Sequence, residues 1–192
     1  MNDLWETAVR KCSTDVDPVF LEKQCDTVID LFGQLTDLLE ESGDRVVYSL
    51  PVNVVHSLEF LDRLDEFDFV GFKEAGLPAI NLGFFAATKS GLERILEASK
   101  TYEFDEKSGV DQNATMMILN ALGNKAEFKL NKNDFVSALG PMCNERGHVC
   151  TFCGPPAVME LARESRLNVT DVVENLMMNA IEGNKEVQYR DK

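Results

Sequence analysis

A chain of 192 residues, 44% hydrophobic and 27% charged, carries enough apolar material for one compact domain. Its 33 acidic against 19 basic residues give a formal charge of −14, which repels phosphate backbones and anionic lipid and excludes nucleic acid as a partner. No apolar run approaches the ~20 residues of a membrane span, and the charged residues Asp3, Glu6, Arg10, Lys11, Asp15 and Asp17 do not read as a signal peptide, so a soluble, cytoplasmic protein with no membrane span is expected.

Residues 1–12 hold the single tryptophan, Trp5, in a short segment of one or two helical turns. Ser13 to Phe20 follows, where Pro18 disfavours helix at Asp17 and leaves Asp15 and Asp17 extended or in a turn. Two carboxylates separated by one residue offer hard oxygen ligands for Mg²⁺ or Mn²⁺; the other reading is a solvated acidic turn ahead of the next helix. From Glu22 to Ser42, Cys25, Val28, Ile29, Phe32, Leu35, Leu38 and Leu39 recur at helical spacing, and Gly43 stands at the expected C-cap. Arg45 to Leu50 reads as a strand stopped by Pro51. Phe60, Leu61 and Leu64 mark a short helix, and Phe67 to Phe72 another strand.

Pro78 to Ala87 is an apolar strand interrupted by Asn81 and Gly83, residues that lower strand propensity and packing. Either a ligand meets a polar side chain and bare backbone there, or the strand carries a β-bulge in which Asn81 caps a backbone group. Ser90-Gly91-Leu92-Glu93 has capping-box spacing, which predicts a helix to about Ser99 with Leu92, Ile95 and Leu96 inward. Asp111 is expected to cap a further helix, whose Ala114, Met117, Ile118 and Ala121 form a core stripe ended by Gly123.

Glu127 to Leu130 reads as a short strand, and Asn133-Asp134-Phe135 opens a turn or brief helix. Gly154-Pro155-Pro156 launches a helix to about Ser165. A last helix follows Asn168, and Gly183 opens a polar tail over 184–192. Five cysteines, an odd count without a secretory signal, read as reduced thiols, and the sequons at Asn113 and Asn168 carry little weight. Alternation of strands and helices predicts an α/β fold over residues 1–183: a layered, mostly parallel sheet flanked by helices, with ligands at the carboxyl ends of strands.

The order of Asp15-Val16-Asp17-Pro18-Val19-Phe20, Arg45 to Ser49, Ile80-Asn81-Leu82-Gly83-Phe84-Phe85, Asp111-Gln112, Phe128-Lys129-Leu130 and His148 resembles metal-dependent nucleotide-sugar glycosyltransferases of the GT-A type. Within them it looks most like the glycosyltransferase domain of procollagen lysyl hydroxylases. The resemblance implies that Asp15, Asp17 and His148 hold Mn²⁺, or Mg²⁺, against the diphosphate of a UDP-sugar. It sets Asn81 and Gly83 against donor sugar and acceptor, and Asp111 and Gln112 beside the transferred sugar. A cation neutralising the leaving diphosphate and a carboxylate orienting or deprotonating an acceptor hydroxyl suit that transfer.

A second alignment, similar to plant-type nucleotide-sugar transferases, sets the metal strand at Val46 to Asn53 and leaves Leu50 and Val52 at the acidic positions. The implied activity therefore includes a shortened or degenerate member, with a non-catalytic GT-A-derived binding or interaction domain as the alternative. Cys143, His148, Cys150 and Cys153 form a separate constellation whose thiolates and imidazole suit a structural Zn²⁺; the other reading makes Cys150 and Cys153 small buried hydrophobes.

Overall fold

A computed structural model describes residues 25–49, 53–55, 58–73, 79–128, 135–137 and 149–151, with single positions at 7, 10, 19, 21, 163, 166, 168, 171, 172, 174, 175 and 178. The chain divides into two compact units. One comprises Leu21–Ser49 and Phe60–Lys132, the other Met1–Phe20, Leu50–Glu59 and Asn133–Lys192.

The first unit is α/β. Its helix α1 spans Val28–Ser42. The start lies six residues later than the periodicity suggests because Thr27 and Asp30 form a reciprocal capping box: the Asp30 amide donates to Thr27 Oγ1 at 3.1 Å and the Thr27 amide to Asp30 Oδ2 at 3.0 Å. Gly43 ends the helix as expected, its amide donating to the Leu39 carbonyl. Strand β1 (Arg45–Ser49) follows, then a 3₁₀ helix at Glu59–Asp65, β3 (Phe69–Lys73) and β4 (Ile80–Thr88). Helix α2 (Lys89–Ser99) begins one residue after Thr88, whose hydroxyl accepts from the Gly91 amide at 3.0 Å. Thr88, in extended backbone at the end of β4, therefore takes the capping position predicted for Ser90. Helix α3 (Val110–Leu122) ends at Gly123, which adopts φ 57°, and a 3₁₀ turn leads to β5 (Ala126–Glu127).

The strand order is β1-β4-β3-β5, with β1–β4 and β3–β4 antiparallel and β3–β5 parallel. Three strands thus share one direction and β4 alone is reversed. Because β4 sits between β1 and β3, the pairings are mainly antiparallel, where a mostly parallel sheet was expected. The physical reason is the link from β3 to β4: residues 74–79 are too few for a parallel crossover, whereas the β3-to-β5 connection contains α2 and α3.

Aromatic packing joins helices to sheet. Phe69 and Phe85, diagonal neighbours on β3 and β4, stack with centroids 5.0 Å apart, and Phe32 of α1 meets them edge-on at 6.5 and 5.7 Å. All three are fully buried, each burial stabilising the fold by roughly 1.5–3 kcal/mol. The predicted stripe of α3 holds: Ala114, Met117 and Ile118 lie in the same core. Asp68, just before β3, gathers the elements at one end. Its carbonyl accepts from the Thr88 amide at 3.0 Å, its amide donates to the Lys125 carbonyl at 2.8 Å, and its Oδ2 takes Arg94 Nη1 at 3.0 Å.

The second unit contains β2 (Asn53–Val55), β6 (Phe135–Ser137) and β7 (Val149–Thr151), ordered β2-β7-β6, with β2–β7 antiparallel and β6–β7 parallel. Phe135 opens a strand where a turn or brief helix was expected. At Asn168, the expected helix start, Oδ1 accepts from the Asp171 amide at 2.9 Å.

Candidate functional site

The amino end of β4 carries the Asn81-x-Gly83 sequence, and its register explains the two unusual residues. On β3, Gly71 pairs with Phe85 and Lys73 with Ile80. Two steps along β3 therefore answer five along β4, so β4 bulges between Ile80 and Phe85. Within the bulge the Gly83 amide donates to Asn81 Oδ1 at 2.7 Å, so the polar side chain caps a backbone group that regular pairing does not serve. On the opposite edge, pairing with β1 stops at Ser49–Phe84. The carboxyl end of β1 thus falls beside Gly83; Leu50 and Val52, which the second alignment sets at the acidic positions, lie outside the described residues.

The Asp111-Gln112 pair lies in the first turn of α3, with both residues exposed. Gly109, in extended backbone, occupies the N-cap where Asp111 was expected, and no side chain caps that end. The work of fixing this terminus falls to Asn113, only 6% exposed. Its Oδ1 accepts from the Asp105 amide at 2.9 Å and its Nδ2 donates to the Asp105 carbonyl at 2.9 Å and the Ser108 carbonyl at 3.2 Å. Asp105 in turn accepts from the Lys107 amide at 3.0 Å and the Ser108 hydroxyl at 2.8 Å. Those bonds, the Lys107 amide first, hold the Asp105 carboxyl below its usual range. With its amide group engaged and buried, Asn113 is not presented as a glycosylation acceptor.

Thr115 connects the two motifs. Its hydroxyl donates to the Asp111 carbonyl at 2.6 Å and accepts from the Ile80 amide at 2.9 Å. One hydroxyl, 2% exposed, thus ties the residue preceding Asn81 to the residue preceding Gln112. Sequence reasoning meets Asn113 and Thr115 only as a sequon and gives them no structural role; the available signal was two polar residues flanking Ala114 on an otherwise apolar helix face.

Asp15, Asp17 and His148 lie outside the described residues, as do Cys143 and Cys153. Cys150 is described through its backbone, in β7. Among the described residues, no group of three or more His, Cys, Asp or Glu side chains is placed to hold a metal, and no helix is long and apolar enough to cross a membrane.

No family model matches the sequence, and no curated protein matches it. Among solved structures, the chain is similar to the glycosyltransferase GlyE in Streptococcus pneumoniae TIGR4, with a TM-score of 0.42 and 8% sequence identity over 92% of this chain. The chain spans about half the length of that structure, 51% of it.

Proposed function

We propose that this chain is a metal-dependent glycosyltransferase domain that moves a sugar from a UDP-sugar to an acceptor hydroxyl. The observation that supports this reading is the Thr115 hydroxyl, which holds the start of β4 against the first turn of α3. Two motifs some thirty residues apart in sequence, Asn81-x-Gly83 and Asp111-Gln112, belong to adjoining element ends, as a sugar-transfer cleft requires. In this reading Asp15, Asp17 and His148 would hold Mn²⁺ or Mg²⁺, which would supply positive charge to the leaving diphosphate. Asp111 orients or deprotonates the acceptor hydroxyl, and Asn81, Gly83 and Gln112 line the sugar side.

Calorimetric titration of UDP into the protein, with and without Mn²⁺, tests the proposal. Metal-dependent UDP binding that Asp15→Ala with Asp17→Ala abolishes is the expected result. Absence of such binding, or its persistence in the double variant, overturns it.

A second reading, a non-catalytic GT-A-derived domain that binds sugar or a partner, is favoured by one observation: Asn81 Oδ1 is engaged by the Gly83 amide, which accounts for both residues structurally. Sugar binding that is indifferent to Mn²⁺ and survives Asp15→Ala with Asp17→Ala selects this reading. Zinc stoichiometry of the purified protein, and its loss in Cys150→Ser with Cys153→Ser, decides whether the cysteine loop is a metal staple.

A further inference from the structure

We infer that Thr115 is the positioning residue of the sugar subsite: its hydroxyl ties the root of the Asn81–Gly83 bulge to the Asp111–Gln112 turn. The inference rests on the glycosyl-transfer reading. A threonine inside a helix commonly donates to the carbonyl four residues back, and Thr115 does so to Asp111. The second bond is the uncommon one. Thr115 Oγ1 also accepts from the Ile80 amide, 35 residues away in sequence and on a different element.

Both Ile80 and Thr115 are almost fully buried, at 1% and 2% exposure, so no water competes freely for these groups. The hydroxyl donates to one motif and accepts from the other, so a displacement at either end is felt at the other through a single atom. Asn113 braces the same helix end from the far side, holding the Asp105 and Ser108 backbone. The bulge above Ile80 is the part of β4 that β1 does not pair, since that register ends at Phe84, and the Thr115 bond is what ties its root to α3.

The consequence is selective. Loss of the hydroxyl shifts the sugar-facing walls and leaves the nucleotide and metal contacts, which the reading assigns to Asp15, Asp17 and His148. Thr115→Val keeps the side-chain shape and removes both bonds. Thr115→Ser keeps both.

Calorimetry of the full chain with Mn²⁺ uses UDP and, as donors, UDP-glucose, UDP-galactose, UDP-xylose and UDP-N-acetylglucosamine, the tightest being carried forward. Thr115→Val is expected to weaken that UDP-sugar about tenfold, the worth of roughly one hydrogen bond, while UDP changes by less than about threefold and Thr115→Ser matches the parent. A folding defect lowers binding stoichiometry for both ligands alike, whereas displaced walls alter the UDP-sugar to UDP affinity ratio at unchanged stoichiometry. Equal weakening of both ligands, or none, overturns the inference alone. A parent chain that binds neither ligand overturns the functional reading and this inference with it.

Discussion

The Asn81 side-chain oxygen accepts the Gly83 amide proton at 2.7 Å, closing a small loop inside the longest strand of the sheet. Residues that weaken an apolar strand in isolation stabilise this one, because the β4 bulge leaves a backbone donor that regular pairing with β3 does not take up. Asn81→Ala is accordingly expected to lower stability by about 1 kcal/mol, the net worth of one such bond. Asn81→Asp, which keeps the acceptor, loses less than half of that. Urea unfolding of the three proteins checks the order, and an alanine variant as stable as the parent removes the structural account of Asn81.

Two helical glycines should respond to alanine with opposite signs. Gly33 in α1 has nothing within 4 Å of the place a Cβ would occupy, so Gly33→Ala gains helix propensity and stabilises by about 0.5–1 kcal/mol. At Gly91 in α2, a Cβ would stand 2.5 Å from the Asp68 carbonyl oxygen, a backbone atom already held by the Thr88 amide. Gly91→Ala must separate α2 from the start of β3, and the strain of about 1–3 kcal/mol outweighs the propensity gain. Thermal melts of both variants decide it; a stabilised Gly91→Ala contradicts the close approach.

The local rules that wrote these elements are visible in sequence, and the long-range ones are not. Periodicity finds α1 and its Gly43 stop, and Thr27-x-x-Asp30 marks the true start once the capping box is given precedence over Cys25. The α3 stripe of Ala114, Met117 and Ile118 is similarly legible. The reversal of β4 is legible in the few residues between Phe72 and Pro78, which allow no parallel crossover; the strand order β1-β4-β3-β5 is not, because alternation of strands and helices is silent on which strands meet in space. At the site, Asn81 and Gly83 announce themselves as anomalies, with ligand contact and bulge both open; the 2.7 Å bond between them supplies the structural cause. Thr115 looks like any helical threonine until the Ile80 amide arrives from 35 residues away. The metal-ligand expectation for Asp15, Asp17 and His148 concerns residues outside those described.

Among the described residues, a carboxylate on the edge strand is paired with one cation. Glu127 of β5, 8% exposed, pairs with Arg63 of the 3₁₀ helix, whose guanidinium also stands 5.6 Å from the Phe67 ring centroid. Glu127 Oε2 is buried and has no hydrogen-bond partner among the described residues. Removing Arg63 leaves a buried charge with no cation among the described residues, so Arg63→Ala is expected to cost about 2–3 kcal/mol, less than for a fully enclosed pair because Arg63 is 47% exposed. Arg63→Met with Glu127→Leu, which removes the charges and keeps apolar bulk, recovers most of that loss. A double-mutant cycle in urea measures the coupling; a value under about 0.5 kcal/mol denies the pair a structural role.

Alkaline stability should be governed by Tyr48 and Cys25. Burial pushes the Tyr48 phenol up, and the charge of a Cys25 thiolate pushes it further. The Cys25 thiol is itself raised, first by burial and then by Asp30 and Asp26. Both acids hold their protons more tightly in the folded chain than in the unfolded one. The stability they contribute is therefore complete below their unfolded pKa values, about 8.5 for the thiol and 10 for the phenol. It is lost as pH rises through the higher folded values. Tyr48→Phe isolates the phenol's share, because the ring stays against Phe85, 5.1 Å away between centroids, while the ionisable oxygen is gone. Urea midpoints at about pH 8 and pH 10.5 should fall for the parent and fall less for Tyr48→Phe, with Cys25→Ser flattening the lower part of the same limb. A parent midpoint that does not move over this interval contradicts the burial of the phenol, and a Tyr48→Phe slope equal to the parent's assigns the alkaline loss to other groups.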